Sequence, residues 1–173
     1  MRFFCQEERR LGLVPSQRRR LTFNGGKPLG SVQYRWETFS GDGAVEPTTG
    51  ERFLLEFPPL QTTNVQIFLN AFADHSQDPV HLVLLEKGRC QKAKSLVIPA
   101  HVVCLVWPPY RPELNPLERL WQDLKAQWAW VLAATIEAWE HQVETIIRRY
   151  TKATLQSLTA YPSVVQAVNA LRS

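Results

Sequence analysis

The chain has 173 residues, of which 45% are hydrophobic and 21% charged, and its formal net charge is +4 at pH 7. This composition is typical of one globular domain with a real core, and the mild positive charge suits a polyanionic partner without requiring one. The odd number of cysteines (Cys5, Cys90 and Cys104) argues against a disulfide framework. No apolar run is long enough for a secretion signal or a membrane span, so we expect a soluble cytoplasmic protein.

The first third of the chain predicts a three-stranded meander. A short apolar run in Met1 to Glu7 predicts a first strand with Glu7 at its end. Residues 8–30 carry charges and turn formers and predict a connection. Strand character then returns in Val32 to Val45 and in Arg52 to Phe57, on either side of a turn.

The remainder predicts helices around two further strands. Apolar residues at helical spacing from Val65 to Phe72 predict a helix that crosses the sheet. Two nearly continuous apolar runs, Val80 to Leu85 and Val102 to Trp107, predict buried central strands. Helical stripes then run from Leu117 to Trp128 and from Ile136 to Tyr150. We expect an α/β domain over residues 1–173, with helices packed on a mixed sheet.

Three acidic residues fall at comparable places in this arrangement. Glu7 ends the predicted first strand, Glu86 follows the fourth, and Glu118 lies in the first turn of the helix after the fifth. These carboxylates could meet at one rim of the sheet. A structural alternative remains open: Asn115 caps that helix with Pro116 at its first position and Glu118 closing a capping box. For Glu7 and Glu86 the alternative is an ordinary solvated charge at a strand end.

The segment Trp107 to Trp121 reads Trp-Pro-Pro-Tyr-Arg-Pro-Glu-Leu-Asn-Pro-Leu-Glu-Arg-Leu-Trp. It is similar to the signature of mariner-like insertion-sequence transposases, in which Pro-Pro-Tyr-Ser-Pro-Glu-Leu-Asn-Pro-Ile-Glu precedes a tryptophan. The resemblance extends over nearly the whole chain. Further segments that look like the family are Phe3 to Gln6, Arg10 to Leu13, Gly43 to Val45 and Lys92 to Leu96.

The resemblance implies the catalytic domain of a DDE transposase. Its expected fold is ribonuclease H-like: a mixed five-stranded sheet with helices on both faces and a helical C-terminus. Its expected chemistry is metal-dependent cleavage and transfer of DNA strands, with three carboxylates holding two Mg²⁺ or Mn²⁺ ions about 3.5–4 Å apart. Carried over position by position, these catalytic and metal-binding acids fall on Glu7, Glu86 and Glu118.

This sequence departs from the family pattern at the chemical positions. The first two family acids are aspartates, whereas Glu7 and Glu86 are each longer by about 1.5 Å of reach. Lys87 and Gln91 stand where the family has Asn and His, and Arg111 stands where it usually has Ser. Because Mg²⁺ requires closely placed oxygen ligands, we expect attenuated turnover. The alternative is a catalytically silent relic that keeps the fold and nonspecific DNA binding.

Basic and aromatic side chains supply the expected DNA contacts, to transposon ends and to target DNA. For the arginine run a solvated loop is nearly as good an interpretation, and for Tyr110 the proline neighbours favour packing. The candidate residues are Arg18, Arg19, Arg20, Lys92, Lys94, Tyr110, Arg111 and Lys125.

Family members also carry an N-terminal helix-turn-helix region, which this sequence lacks before its first strand. We therefore expect specific DNA recognition to be missing, as in a gene fragment, or to be supplied by a separately encoded N-terminal DNA-binding portion as a partner, with nucleoid association when DNA is bound. A third alternative treats the tryptophan-rich C-terminal helices as a surface for a protein partner. Core packing accounts for most of these tryptophans, but Trp130 lies off the main stripe, which is consistent with a homodimer contact.

Overall fold

The computed structural model of the protein describes residues 1–13, 24, 26, 35–57, 64–75, 79–85, 96–108, 111–128 and 132–172. These residues form one five-stranded sheet with helices on its two faces. The strands are β1 (Arg2–Gly12), β2 (Thr38–Val45), β3 (Arg52–Phe57), β4 (His81–Leu85) and β5 (Val102–Val106).

The sheet is mixed, as predicted, with the strand order β3-β2-β1-β4-β5. The first three strands form the expected antiparallel meander, in which Glu7 is paired with Gly43 of β2. On its other side β1 runs parallel to β4, with Cys5 opposite Leu84, and β4 runs parallel to β5. Parallel neighbours place their carboxyl ends at the same edge of the sheet.

The prediction that Glu7 ends the first strand is wrong, because β1 continues to Gly12. Antiparallel pairing with β2 persists to the last pair, Gly12 with Thr38. Residues 8–10 are polar, and their side chains are partly or fully exposed. Leu11 again points into the core and is 4% exposed. Glu7 therefore lies inside a long strand, paired with β2 and two residues past the last described pair with β4, Cys5 with Leu84.

Two other strand predictions need correction. β2 begins at Thr38 rather than Val32; residues 35–37 form no strand, and residues 31–34 lie outside the described ranges. β5 is an edge strand and not a buried central one, and its Val103 and Leu105 are 44% and 39% exposed. The continuous apolar run therefore predicted a strand correctly, but it did not predict that the strand lies at the edge of the sheet.

In the described part of the chain, one helix covers one face of the sheet and four lie on the other. On the first face Phe68 and Phe72 of the crossing helix pack against Phe4 and Phe53. Both predicted C-terminal stripes are confirmed as helices, and two shorter helices follow them. The helices are α1 (Asn64–His75), α2 (Leu117–Trp128), α3 (Ile136–Arg148), α4 (Lys152–Thr159) and α5 (Pro162–Arg172).

The second face holds the larger core, which includes Trp121, Trp128 and Trp139, each at most 7% exposed. Their expected role in packing is confirmed, whereas Trp130 lies outside the described residues. None of the helices in the described ranges is both long and apolar enough to span a membrane. Cys5 is a buried free thiol.

Candidate active site

Glu7 points to the same face of the sheet as the C-terminal helices. Side chains alternate along a strand, and Cys5 and Leu11 both belong to the core on that face. Glu7 is only 8% exposed. Its cross-strand neighbour is Gly43, where an added Cβ would lie 3.6 Å from the Trp121 ring and would contact α2. The nearest atom to that Cβ would be Leu54 Cδ2 of β3 at 2.7 Å, so the glycine makes room for Leu54, while α2 lies at ordinary contact distance.

Asn115 joins the start of α2 to β1. Its side-chain Oδ1 accepts a hydrogen bond from the Leu117 N–H at 3.1 Å, so the predicted N-cap is confirmed. Its Nδ2 donates to Glu7 Oε2 at 3.1 Å and to the Gln6 carbonyl at 3.3 Å. One buried amide therefore both caps the helix and holds the Glu7 carboxylate.

Glu118 does not close a capping box as the structural alternative predicted. The Asn115 N–H, which the box would use, donates instead to the Pro112 carbonyl at 3.0 Å. The Glu118 carboxylate faces β1, where its Oε1 lies 3.5 Å from Nη1 of Arg9. Glu118 is thus turned toward the strand that carries Glu7.

Two of the three predicted acids are therefore brought to one place, the middle of β1 where α2 begins. The third, Glu86, follows Leu85 at the end of β4 and lies outside the described residues, as do Lys87 and Gln91. Within the described ranges there is no cluster of three or more His, Cys, Asp or Glu side chains suited to a metal ion. The two carboxylates are hard oxygen donors of the kind that Mg²⁺ and Mn²⁺ prefer, so the described part of the site fits such a metal.

Two of the predicted DNA contacts lie within the described residues. Arg111 is well exposed and pairs with Glu113 at 3.3 Å. Lys125 is partly exposed on α2, seven residues and roughly 10 Å along the helix axis from Glu118, and so on the same side of the helix. The others lie outside the described ranges: Arg18, Arg19, Arg20, Lys92, Lys94 and Tyr110.

Sequence reasoning missed the site roles of Arg9 and Asn115. Arg9 is two residues from Glu7 on a strand, which by itself puts both side chains on one face. Asn115 was identified only as a cap, although an asparagine also carries two amide donors that Ser, Thr and Asp lack. A fully buried pair was also missed on the opposite face, where Gln6 Nε2 donates to Asp42 Oδ1.

Comparisons with known proteins define the family. Residues 2–151 match the family model described as DDE superfamily endonuclease, and the chain therefore belongs to that superfamily. A curated relative, the uncharacterized protein y4pE/y4sA of Sinorhizobium fredii, is 32% identical over 87 residues, which cover 50% of this chain and 64% of the relative.

Solved structures with the same fold are of Mos1 mariner transposase complexes. The Mos1 mariner paired-end complex with Mn aligns with a TM-score of 0.69 and 13% identity, over 91% of this chain and 51% of that one. The Mos1 strand transfer complex aligns with a TM-score of 0.66 and 12% identity, over 91% and 50% respectively. The chain spans about half the length of these proteins, and the expected ribonuclease H-like α/β fold is confirmed.

Proposed function

We propose that this chain is the catalytic domain of a DNA transposase, which cleaves DNA and transfers strands with a divalent cation bound by Glu7, Glu86 and Glu118. The observation that carries the proposal is the convergence of two family acids through one amide. Asn115 starts the helix of Glu118 and donates to Glu7 at 3.1 Å. Glu86 is included because β4, which ends at the preceding residue, runs parallel to β1.

The residues of such a site would have different roles. Mg²⁺ or Mn²⁺, when bound, would supply Lewis-acid stabilisation of the charge that develops on phosphoryl oxygens. The carboxylates of Glu7 and Glu118 would hold the cation, in a two-metal site if Glu86 contributes a third carboxylate. Asn115 would fix the Glu7 carboxylate, because a ligand that is hydrogen-bonded by a buried neighbour keeps one orientation.

DNA is the proposed substrate, both as transposon ends and as target. The Mos1 structures that share this fold are those of a paired-end complex and of a strand transfer complex. Arg111 and Lys125 carry exposed or partly exposed positive charge near the start and along the side of α2, where they can contact phosphates. We further propose a separately encoded DNA-binding portion and a second copy of this chain as partners.

Attenuated activity is part of the proposal. Glu7 and Glu86 each carry one methylene more than the aspartates that the family resemblance leads us to expect, and a displacement of about 1 Å can cost around a hundredfold in rate. A second candidate, a silent domain that binds DNA nonspecifically, is favoured by one observation. The carboxylate of Glu118 is already paired with Arg9 at 3.5 Å.

Cleavage of supercoiled plasmid in Mg²⁺ and in Mn²⁺ tests the proposal. Glu118→Gln should lower nicking about a hundredfold, while Glu137→Gln, the same change at an exposed acid in the first turn of α3, should leave it unchanged. Nicking that survives Glu118→Gln would contradict the assigned site. Cleavage only by the Glu7→Asp/Glu86→Asp double variant would instead identify a silenced transposase domain.

A DNA-binding measurement separates the silent domain from a protein without any DNA role. Both transposase alternatives predict binding to duplex DNA that weakens steeply as salt rises. Replacing Arg111 and Lys125 by Gln should weaken that binding and flatten its salt dependence by about one unit of slope for each phosphate that is no longer neutralised. An absence of binding at low salt would contradict both alternatives.

A further inference from the structure

Arg9 lies beside the carboxylate of Glu118 and on the same strand as Glu7. Its Nη1 is 3.5 Å from Glu118 Oε1, and the Arg9 and Glu118 side chains are 29% and 21% exposed. It follows Glu7 by two residues on β1, so the two side chains project from the same face. The guanidinium of Arg9 is therefore a positive charge at the place where the proposed function requires a divalent metal ion.

We infer that Arg9 is a built-in counter-ion that competes with a divalent cation for Glu118 and thereby sets the metal concentration at which the site fills. This inference rests on the proposed function. An arginine guanidinium keeps its charge and offers only donors, so it can balance a carboxylate but cannot ligate a metal. A divalent ion at about 2.0–2.1 Å from Glu118 oxygen would lie within a few ångströms of that guanidinium and be repelled by it.

The competition is expected to be adjustable and not absolute. Ion pairs that remain partly exposed are weak, because water screens them and two long side chains must be ordered. The Arg9 side chain reaches solvent and can rotate away, whereas Glu7 is held in a buried position by Asn115. Metal binding would therefore displace Arg9 and leave the Glu7 carboxylate where it is.

The test is calorimetric titration of the full chain with Mn²⁺, comparing Arg9→Gln with Arg10→Gln. Arg10 is a matched control because it loses the same charge one position later, on an exposed side chain that points to the opposite face of β1. Arg9→Gln should tighten Mn²⁺ binding about threefold to tenfold, and Arg10→Gln should change it less than about twofold. Adding Glu118→Gln to Arg9→Gln should abolish the gain.

Each outcome distinguishes this inference from the proposed function. Equal affinities of the Arg9→Gln and Arg10→Gln variants would overturn the inference and leave the metal site intact. Tighter binding by Arg9→Gln without any DNA cleavage would support the inference and count against the proposed activity. Failure of all variants to bind Mn²⁺ would overturn both. Should Arg9→Gln unfold, Arg9→Met keeps the unbranched stem without the charge, and the same expectations apply.

Discussion

The two sides of the sheet differ in how completely they are packed. Almost every residue of β2 is buried, since α1 lies on one face and α2 on the other. β5, at the opposite side of β1, exposes Val103 and Leu105, although their pairing partners on β4 are half-buried. β2 (Thr-Phe-Ser-Gly-Asp-Gly-Ala-Val) is the less apolar of the two strands, so the difference comes from its interior place in the sheet and from the elements that cover it, and not from composition.

The candidate site lies on the well-packed side. Glu7 is buried in the middle of β1, and α2 is held against the sheet by Trp121 over the β2 glycines and by Asn115 at its start. A catalytic site needs side chains fixed within a fraction of an ångström, and close packing supplies that. β4, which Glu86 follows in the sequence, is paired with the exposed strand β5. The comparison implies that α2, more than the sheet edge, determines the geometry of the site.

The largest expected effect compares one leucine on each side. Leu124→Ala should lower the free energy of unfolding by about 2–5 kcal/mol, because Leu124 is 1% exposed in the core beneath α2. Leu105→Ala makes the same chemical change on the exposed face of β5 and should cost less than about 1 kcal/mol. Urea unfolding measures both. Equal losses of stability would contradict the difference in packing between the two sides and show that the β5 face is covered in solution.

A smaller effect is expected where α2 meets β1. Asn115→Ala removes the N-cap and the amide donor to Glu7, and should cost about 2 kcal/mol. Asn115→Ser keeps a capping oxygen but has no amide to reach Glu7, so it should recover about half of that loss. Thermal unfolding of the two variants separates the contribution of the N-cap from that of the hydrogen bond to Glu7. A serine variant as stable as the original would mean that the Glu7 contact contributes nothing.

Local pattern was sufficient to predict most of the secondary structure. The stripe from Leu117 to Trp128 and the meander follow from periodicities that neighbouring residues determine. The length of β1 could not be read in this way, because its polar stretch is held in the strand by pairing with β2. Strand order also escaped prediction, since an apolar run such as β5 does not show how many neighbours it has.

The site was predictable in its residue types but not in its contacts. Glu7 and Glu118 could be placed together from the family resemblance. The ion pair of Arg9 with Glu118 depends on the angle at which α2 crosses β1, and the residues that determine this angle are distant in sequence. Asn115 gave a partial signal, because its cap role was visible locally while its donor role required a partner more than one hundred residues away.

The smallest effect is expected at Glu56, near the end of β3, on the same side of the sheet as β2. Burial, followed by the nearby charges of Glu140 and Glu144 on α3, raises the pKa of Glu56 above its ordinary value of 4.5. A carboxyl whose pKa is raised on folding binds more protons in the folded state than in the unfolded state. Stability therefore falls as pH rises through the window from about 4.5 upward.

Glu56→Gln should accordingly stabilise the fold at pH 7 by a few tenths of a kcal/mol, a small figure because the side chain is exposed and water screens its charge. Below about pH 4 the difference should vanish, since the original carboxyl is then protonated in both states. Urea unfolding at the two pH values measures it. Glu140→Gln should stabilise the original chain more than it stabilises the Glu56→Gln variant. Additive effects would show that the repulsion between β3 and α3 is screened away, and that close packing on this side of the sheet does not extend to its charged margin.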